Sequence, residues 1–494
     1  MLNISLCFNR KDFEYDVYSL IKAFYPGCEI TSWYEEDGAP DGEFAYYDKI
    51  LYAADQICFS IENEKHEELS AACEAVEYEK DRHETKNVLK RMVYRTLSKV
   101  SGKELPWGDL TGIRPTKIPM KMLEEGKTNV EIAKYMRETY YTSPEKTALA
   151  ITIANREKDI LKTIDYEHGY SLYIGIPFCP SICLYCSFGS HVLSRWAHMV
   201  DPYLDALIKE LTFISERMKD YTLDTIYIGG GTPTTLAPDQ LKALLDRLHT
   251  AFDLAPGTEF TVEAGRPDTV TEEKLAVLVS HGVNRVSVNP QTMSDAVLEE
   301  IGRHHTAAQV REAVAMVKKF PQLAFNMDLI AGLPGDTPES FSDTVREVIA
   351  LGAENITVHT LALKKGSRFL TEGTALPDGK AVGEMLGDAR EKLEAAGYAP
   401  YYLYRQKFMS DSFENVGWTK PGYENLYNIC IMEELCGILA VGAGGSTKLT
   451  APGGVVKRLM APKYPREYMD RIAHTCAEKD EIVRFYNSEP KGTN

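Results

Sequence analysis

From Ser171 onward, short β-branched runs alternate with amphipathic segments six times, and this rhythm constrains the architecture more than any other feature. The predicted strands are Ser171 to Ile176, Asp224 to Ile228, Glu259 to Glu263, Arg285 to Asn289, Ala324 to Ile330 and Asn355 to Leu361. Apolar residues recur at helical spacing between them, in Tyr203 to Met218, Pro238 to Phe252, Glu272 to His281, Ala307 to Phe320 and Pro338 to Leu351. Parallel neighbours need crossovers, so the pattern predicts an α/β fold: a partial (β/α)6, TIM-like barrel with helices on its outer face. Chemistry in such a fold sits at the C-terminal ends of the strands. The boundaries read as an N-terminal α/β plus helical domain over 1–165, the barrel core over 166–395, and a C-terminal cap over 396–494, where the alternation stops.

A chain of 494 residues has ample length for two or three cores. Its net charge of −17 disfavours nucleic acid, because a phosphate backbone is repelled by such a field. No run approaches the roughly 18 to 20 apolar residues of a membrane span. Met1 to Phe8 reads as a first strand without a cleavable leader, so the expected setting is cytoplasmic. Seven of the ten cysteines (Cys7, Cys28, Cys58, Cys73, Cys430, Cys436, Cys476) are scattered singly and read as buried small hydrophobes.

The other three form a CxxxCxxC triplet, Cys179, Cys183 and Cys186, in the loop just after the first barrel strand. Three thiolates on one loop can chelate a single metal centre. One reading is a structural zinc site completed by His191. The other is a [4Fe-4S] cluster, in which a missing fourth thiolate leaves one iron open to a ligand.

Residues at the other strand ends bear on that choice. The second strand runs into GGGTPT (Gly229 to Thr234), whose glycines permit close approach of a ligand. The third delivers Glu263, the fourth Gln291 beyond Asn289, and the fifth Asp328 followed by Gly332, Leu333, Pro334 and Gly335. Together these outline one cofactor bowl, which a zinc staple would not require.

The cysteine loop, GGGTPT, Glu263, Gln291, IGRHHT (Ile301 to Thr306) and DLIAGLPGDT (Asp328 to Thr337) resemble the radical S-adenosylmethionine (SAM) superfamily. More closely they resemble its oxygen-independent coproporphyrinogen III oxidases, also called coproporphyrinogen dehydrogenases. The flanking LPWGDLTGIRPTKI (Leu105 to Ile118), YYLYRQKF and ENVGWTKPGYENLYN are similar to the HemZ branch. The resemblance implies that Cys179, Cys183 and Cys186 bind three irons of a [4Fe-4S] cluster while SAM chelates the fourth through its amino and carboxylate groups. It places Tyr173 beside the methionyl end, Gly231 and Thr232 against SAM, and Glu263 on the methionyl amine. Gln291, Arg303 and Asp328 would contact the remainder of the ligand, and Ala362 the adenine. Glu263 suits an ammonium and Arg303 a carboxylate.

Two positions depart from the pattern. Family oxidases carry a further cysteine two residues after the third ligand, where this chain has Phe188. The haem chaperones sharing the core carry an HNxxYW motif, which corresponds here to Tyr427, Asn428, Ile429, Cys430, Ile431 and Met432.

The implied reaction is oxidative decarboxylation of coproporphyrinogen III to protoporphyrinogen IX. A radical derived from SAM removes a hydrogen from a propionate β-carbon, and loss of carbon dioxide and one electron leaves a vinyl group. The implied partners are this tetrapyrrole and an electron donor such as flavodoxin or ferredoxin. Four propionates on the substrate require local positive charge, for which Arg195, Lys364, Lys365, Arg368, Arg405, Lys407 and Lys420 are candidates. Tyr401, Tyr402, Tyr404 and Trp418 are candidates to flank the macrocycle, and His304 and His305 to reach the cofactor rim. The alternatives are a haem or porphyrin-binding chaperone, and another radical SAM reaction on a tetrapyrrole.

Overall fold

The computed structural model describes residues 2–78, 81–112, 114–162, 164, 169–187, 189–362, 368–369, 377–406, 412–434, 436–451 and 455–488. Two units emerge, Met1–Asn155 with Tyr404–Glu414, and Arg156–Leu403 with Asn415–Asn494. This differs from the three-part division expected from sequence, because the segment read as a cap is shared between the two units.

In the first unit, β1 (Asn3–Phe8), β2 (Glu29–Tyr34), β3 (Tyr46–Tyr52), β4 (Gln56–Asn63) and β5 (Glu68–Ala75) form a sheet of order β2-β1-β3-β4-β5. β1 is parallel to both neighbours, and β3, β4 and β5 form an antiparallel meander. Ile4, Leu6 and Phe8 alternate inward to meet Leu20 and Phe24 of helix Glu14–Phe24 and Met92 and Leu97 of helix Arg82–Ser101. Cys58 and Cys73 depart from the reading as buried hydrophobes. They stand opposite each other on β4 and β5, neither is buried, and they form a disulfide. Trp107 is fully buried, and its indole Nε1 donates to Glu414 Oε2 at 2.7 Å while Lys146 Nζ meets Glu414 Oε1 at 2.6 Å. The proline-punctuated segment around Trp107 therefore packs the first unit.

The second unit carries the remaining strands. They are β6 (Gly169–Ile176), the two-residue pair β7 (Phe178–Cys179) and β8 (His191–Val192), β9 (Thr222–Gly230), β10 (Glu259–Glu263), β11 (Arg285–Ser287), β12 (Ala324–Ala331), β13 (Asn355–Thr360), β14 (Ala399–Tyr404), β15 (Asn415–Thr419), β16 (Gly437–Val441), β17 (Ser446–Ala451) and β18 (Val455–Met460). β6, β9, β10, β11, β12 and β13 lie side by side and parallel, which are the six strands the alternation predicts. Helices cross between them at Val200–Arg217, Pro238–Ala251, Glu272–Ser280, Ala307–Val317 and Pro338–Leu351. Thr271, Thr306 and Thr337 cap three of these through their side chains, and Gly352, at φ +82°, ends the last. Leu172, Ile174, Ile226, Ile228 and Val262 are fully buried, each contributing about 1.5–3 kcal/mol as helices cover the sheet.

The segment 415–494 extends this sheet instead of standing apart. The full order is β14-β15-β13-β12-β11-β10-β9-β6-β16-β17-β18. An open barrel leaves two edges with unpaired backbone groups, and these later strands cover both. β15 runs antiparallel on β13, and β16 runs parallel on β6. Tyr401, Tyr402 and Trp418 are buried in this extension, and a Cβ on Gly417 would come within 1.9 Å of the Tyr402 ring. All three pack within this sheet extension. Among the described residues no helix is long and apolar enough to cross a membrane.

Glu157 and Glu433 form a buried pair of carboxyl groups in the second unit. Burial raises the pKa of Glu157 well above its ordinary value, and Glu433 raises it further. The folded protein therefore retains a proton here that the unfolded chain releases above about pH 4.3. Stability from this pair is full below that pH and is lost on the order of 1 kcal/mol per pH unit as pH rises toward the raised value. Thermal unfolding at pH 5.5 and 8 checks this: Glu157→Gln should lose less stability across that interval than the parent protein.

Candidate functional site

The cysteine loop leaves β6 through Pro177 and is folded by a short parallel pairing, Phe178 with His191 and Cys179 with Val192. The Leu184 N–H donates to Ile301 O at 3.0 Å, and the Cys186 N–H to Cys183 O at 3.0 Å. Two arginines, one just past β10 and one just before helix Ala307–Val317, grip the loop. Arg266 Nη1 donates to Ser181 Oγ at 3.0 Å while its other nitrogens bind Asp268. Arg303 donates from Nη1 to Tyr185 Oη at 2.9 Å and lies 4.0 Å from Cys183 Sγ. Its Nη2 donates to Gly265 O at 2.9 Å and Asn289 O at 2.7 Å. Four of the five guanidinium donors are committed to protein groups, so its observed position ties the loop to the ends of β10 and β11.

The glycine turn after β9 lies directly against the loop. Gly231 N–H donates to Ile176 O and Thr232 N–H to Phe178 O, each at 2.8 Å. Thr232 Oγ1 lies 3.6 Å from Cys179 Sγ. A Cβ on Gly231 would stand 2.6 Å from Phe178 O and 3.0 Å from Cys179 Sγ, so only glycine fits there. Burial raises the Cys179 thiol pKa, while Thr232 and Ser190 lower it.

Glu263 ends β10 and accepts a hydrogen bond from Tyr227 Oη at 2.6 Å. Tyr227 is stacked on Tyr427, centroids 4.3 Å apart, and faces Tyr173 at 6.2 Å. Burial pushes Glu263 up to about 7, with Asp328 adding to the rise and Tyr227 and the Gly230 N–H opposing it. Asp328, on β12, shows the opposite balance: burial would raise it, but His359, Asn326 and Thr357 hold it below the ordinary carboxylate value.

Gln291 has left-handed backbone, φ +69°, and exchanges backbone bonds with Asp328 and Ile330. Ala362 lies just past β13, where Leu361 N–H donates to Ala331 O at 3.0 Å. His304 is exposed. His305 is buried, and burial, aided by Arg303 and Arg266, pushes it down to about 3, so its ring is neutral.

The structure thus gathers Tyr173, Cys179, Cys183, Gly231, Thr232, Glu263, Gln291, Arg303 and Asp328 at one end of the parallel strands. The proposed basic lining is less coherent. Arg405 is buried and donates to the carbonyls of Leu110, Gly112 and Ser412 within the first unit, and Lys420 donates to Gly352 O at 2.9 Å. Arg195 is exposed, and the Arg368 N–H donates to Leu184 O in the cysteine loop. Lys364, Lys365, Lys407 and Phe188 lie outside the described residues. Sequence reasoning missed Tyr227 and Arg266. Tyr227 shares a strand face with Gly229, and that period-two spacing was the available signal.

A small cavity of about 280 Å³ adjoins this end, lined in part by Tyr173, Gly230, Gly231 and Lys463. The arrangement of the donors bears on the two metal readings. Among the described residues no three His, Cys, Asp or Glu side chains converge as one ion would require. His191 instead packs against Trp196 and Tyr464. Cysteines that each bind a different iron of a cluster need no such convergence. The surroundings also fit a bound amino acid-like ligand: among the described residues Glu263 faces an aspartate and phenols without a cation, and Gln291 Oε1 and Arg303 Nε are buried without partners.

Residues 173–348 match the radical SAM superfamily. The chain is also 37% identical over 406 residues to the oxygen-independent coproporphyrinogen-III oxidase-like protein HemZ of Bacillus subtilis (strain 168), covering 80% of each chain. The chain belongs to the radical SAM superfamily, in the family of HemZ. It is 32% identical over 303 residues to the haem chaperone HemW of Haemophilus influenzae, covering 60% of this chain and 75% of HemW. The fold also matches coproporphyrinogen III oxidase (HemN) of Escherichia coli, with a TM-score of 0.52, 22% identity and coverage of 65% of this chain and 73% of HemN. The cofactors of this radical SAM protein are a [4Fe-4S] cluster and SAM, the pair expected from the cysteine loop.

Proposed function

We propose that the protein oxidatively decarboxylates coproporphyrinogen III to protoporphyrinogen IX. When bound, the cluster and SAM supply one-electron, hydrogen-abstracting chemistry. Cys179, Cys183 and Cys186 would hold the cluster, and Gly231 leaves the space beside Cys179 that a ligand-bearing cluster needs. Glu263 would accept from the amino group of SAM. Tyr173, Thr232, Gln291, Asp328 and Ala362 would line the rest of the ligand, with Arg303 holding the loop from behind. The buried Tyr427 and the half-buried Tyr173 and Tyr227 would restrict water at the reacting centre.

The observation that favours an oxidase over a chaperone is the placement of Tyr427. It stands where the haem chaperones' HNxxYW motif begins, and here it is 4% exposed and stacked on Tyr227, with Tyr173 beside both rings. That ring packs the floor of the site and leaves no histidine there to ligate haem iron. HemW relatives keep the chaperone reading as the principal rival.

Anaerobic reconstitution with SAM, a reductant and coproporphyrinogen III, followed by mass spectrometry, tests the proposal. Stepwise loss of formic-acid equivalents is expected. Tight haem binding in a parallel titration with no turnover would overturn it in favour of the chaperone, and a mass gain would indicate another reaction on the tetrapyrrole.

A further inference from the structure

We propose that Tyr227 is a positioning residue: its phenol fixes the orientation of Glu263 and keeps that carboxylate a pure acceptor for the amino group of the bound ligand. The inference rests on the reading of the site as a SAM site.

The geometry is tightly determined. Tyr227 Oη donates to Glu263 Oε1 at 2.6 Å, leaving Oε2 for other donors. The two side chains meet above Gly229, where a Cβ would stand 2.9 Å from the Tyr227 ring and 3.0 Å from Glu263 Oε2. The Tyr227 ring is confined by Tyr427, at 4.3 Å and 20°, and by Tyr173, at 6.2 Å and 17°. Stacking on Tyr427 restricts the phenol beside the carboxylate and pre-organises the hydrogen bond.

This matters because, among the described residues, no cation pairs with Glu263. The groups that face it are the phenols of Tyr227 on β9, Tyr173 on β6 and Tyr427 on helix Leu426–Glu433, and the carboxylate of Asp328 on β12, which pairs in turn with His359. Burial pushes Glu263 up to about 7, and Tyr227 is the first group opposing that rise. Burial and Glu263 itself push the Tyr227 phenol well above its ordinary value, so it remains a donor. A protonated Glu263 would turn an O–H toward a ligand that also brings N–H donors. Losing the phenol should therefore shift Glu263 further toward the neutral acid and weaken the ligand's hold near neutrality.

The test measures SAM binding to the anaerobically reconstituted protein between pH 6 and 9, for the parent, Tyr227→Phe and Glu263→Gln. The glutamine variant retains only the ligand's own titration. Tyr227→Phe should bind about tenfold more weakly at pH 7, a charge-assisted hydrogen bond being worth at least that factor, and should converge on the parent by pH 9. Its inflection should lie at higher pH. A loss equal at every pH, or an unshifted inflection, would mean that Tyr227 only packs and would overturn the proposal. A second measurement needs no ligand: the infrared carboxyl band of Glu263, isolated by difference against Glu263→Gln, should ionise at higher pH in Tyr227→Phe. Identical titration in both backgrounds would overturn the proposal by itself. If the parent binds no SAM at any pH, the reading of the site fails, while the infrared titration still decides the link between Tyr227 and Glu263.

Discussion

Replacing Cys179, Cys183 or Cys186 with alanine should reduce the iron and sulfide content of the reconstituted protein to background and abolish SAM cleavage. Each thiolate would hold a different iron, and the open iron already lacks a protein thiolate, so no spare ligand can substitute. The fold should survive, because the three residues lie in a loop held independently by Arg266, Arg303 and the pairing of β7 with β8. Circular dichroism and the unfolding temperature should stay near parent values while the visible absorbance of the cluster disappears. His191→Ala provides the contrast. Its ring packs on Trp196, centroids 4.6 Å apart, and contributes no ligand in this reading. Parent levels of iron in the cysteine variants would reject the ligand set. Loss of metal from His191→Ala with bound zinc in the parent would restore the zinc alternative.

Replacing Arg303 should produce the second large effect, through the support of the loop. Arg303→Met removes the donors to Gly265 O, Asn289 O and Tyr185 Oη and leaves two buried carbonyls unpaired. Changes to groups that orient metal ligands typically cost about 10–100-fold in metal affinity or activity, and that range is expected for cluster retention here. Arg303→Lys should recover little, because a single ammonium cannot span three acceptors set by a planar fork. The measurement is the rate at which a chelator strips iron from the reconstituted protein. The outcome separates two roles for this residue. If Arg303→Met keeps its cluster as firmly as the parent but binds SAM weakly, the guanidinium acts on the ligand carboxylate, as the sequence alone suggested.

That contrast shows where sequence reasoning reached its limit. The six parallel strands were legible because each is a β-branched run flanked by an amphipathic helix, and β10 and helix Pro338–Leu351 fall on their predicted bounds. The fourth strand stops two residues short of the predicted Asn289. Its ladder stops at Ser287 because Asn289 serves other groups, its carbonyl accepting from Arg303 and its side chain from the Asp328 N–H. Residue type alone singled out Glu263 as a candidate but not the company it keeps. Tyr227 reads as an ordinary strand residue, and only the register of β9 against β10 brings Thr261 opposite it and carries Glu263 within reach. The edge strands were illegible for a different reason. β14 to β18 are short, mostly antiparallel and outside the regular strand–helix alternation, so they resemble a separate cap until their pairing is known. The Cys58–Cys73 disulfide was missed likewise, because two cysteines 15 residues apart say nothing until β4 and β5 set them opposite each other.

The pairing of β6 with β16 has a consequence for biosynthesis. The strand that bears the cysteine loop lies between β9 and β16, and its second neighbour begins only at Gly437. While the ribosome is still translating the preceding stretch, that strand has one naked edge, and the loop exit lacks the Tyr464 ring that later packs on His191. A product terminated before Gly437 would therefore carry all three cysteines beside a strand with one unpaired edge.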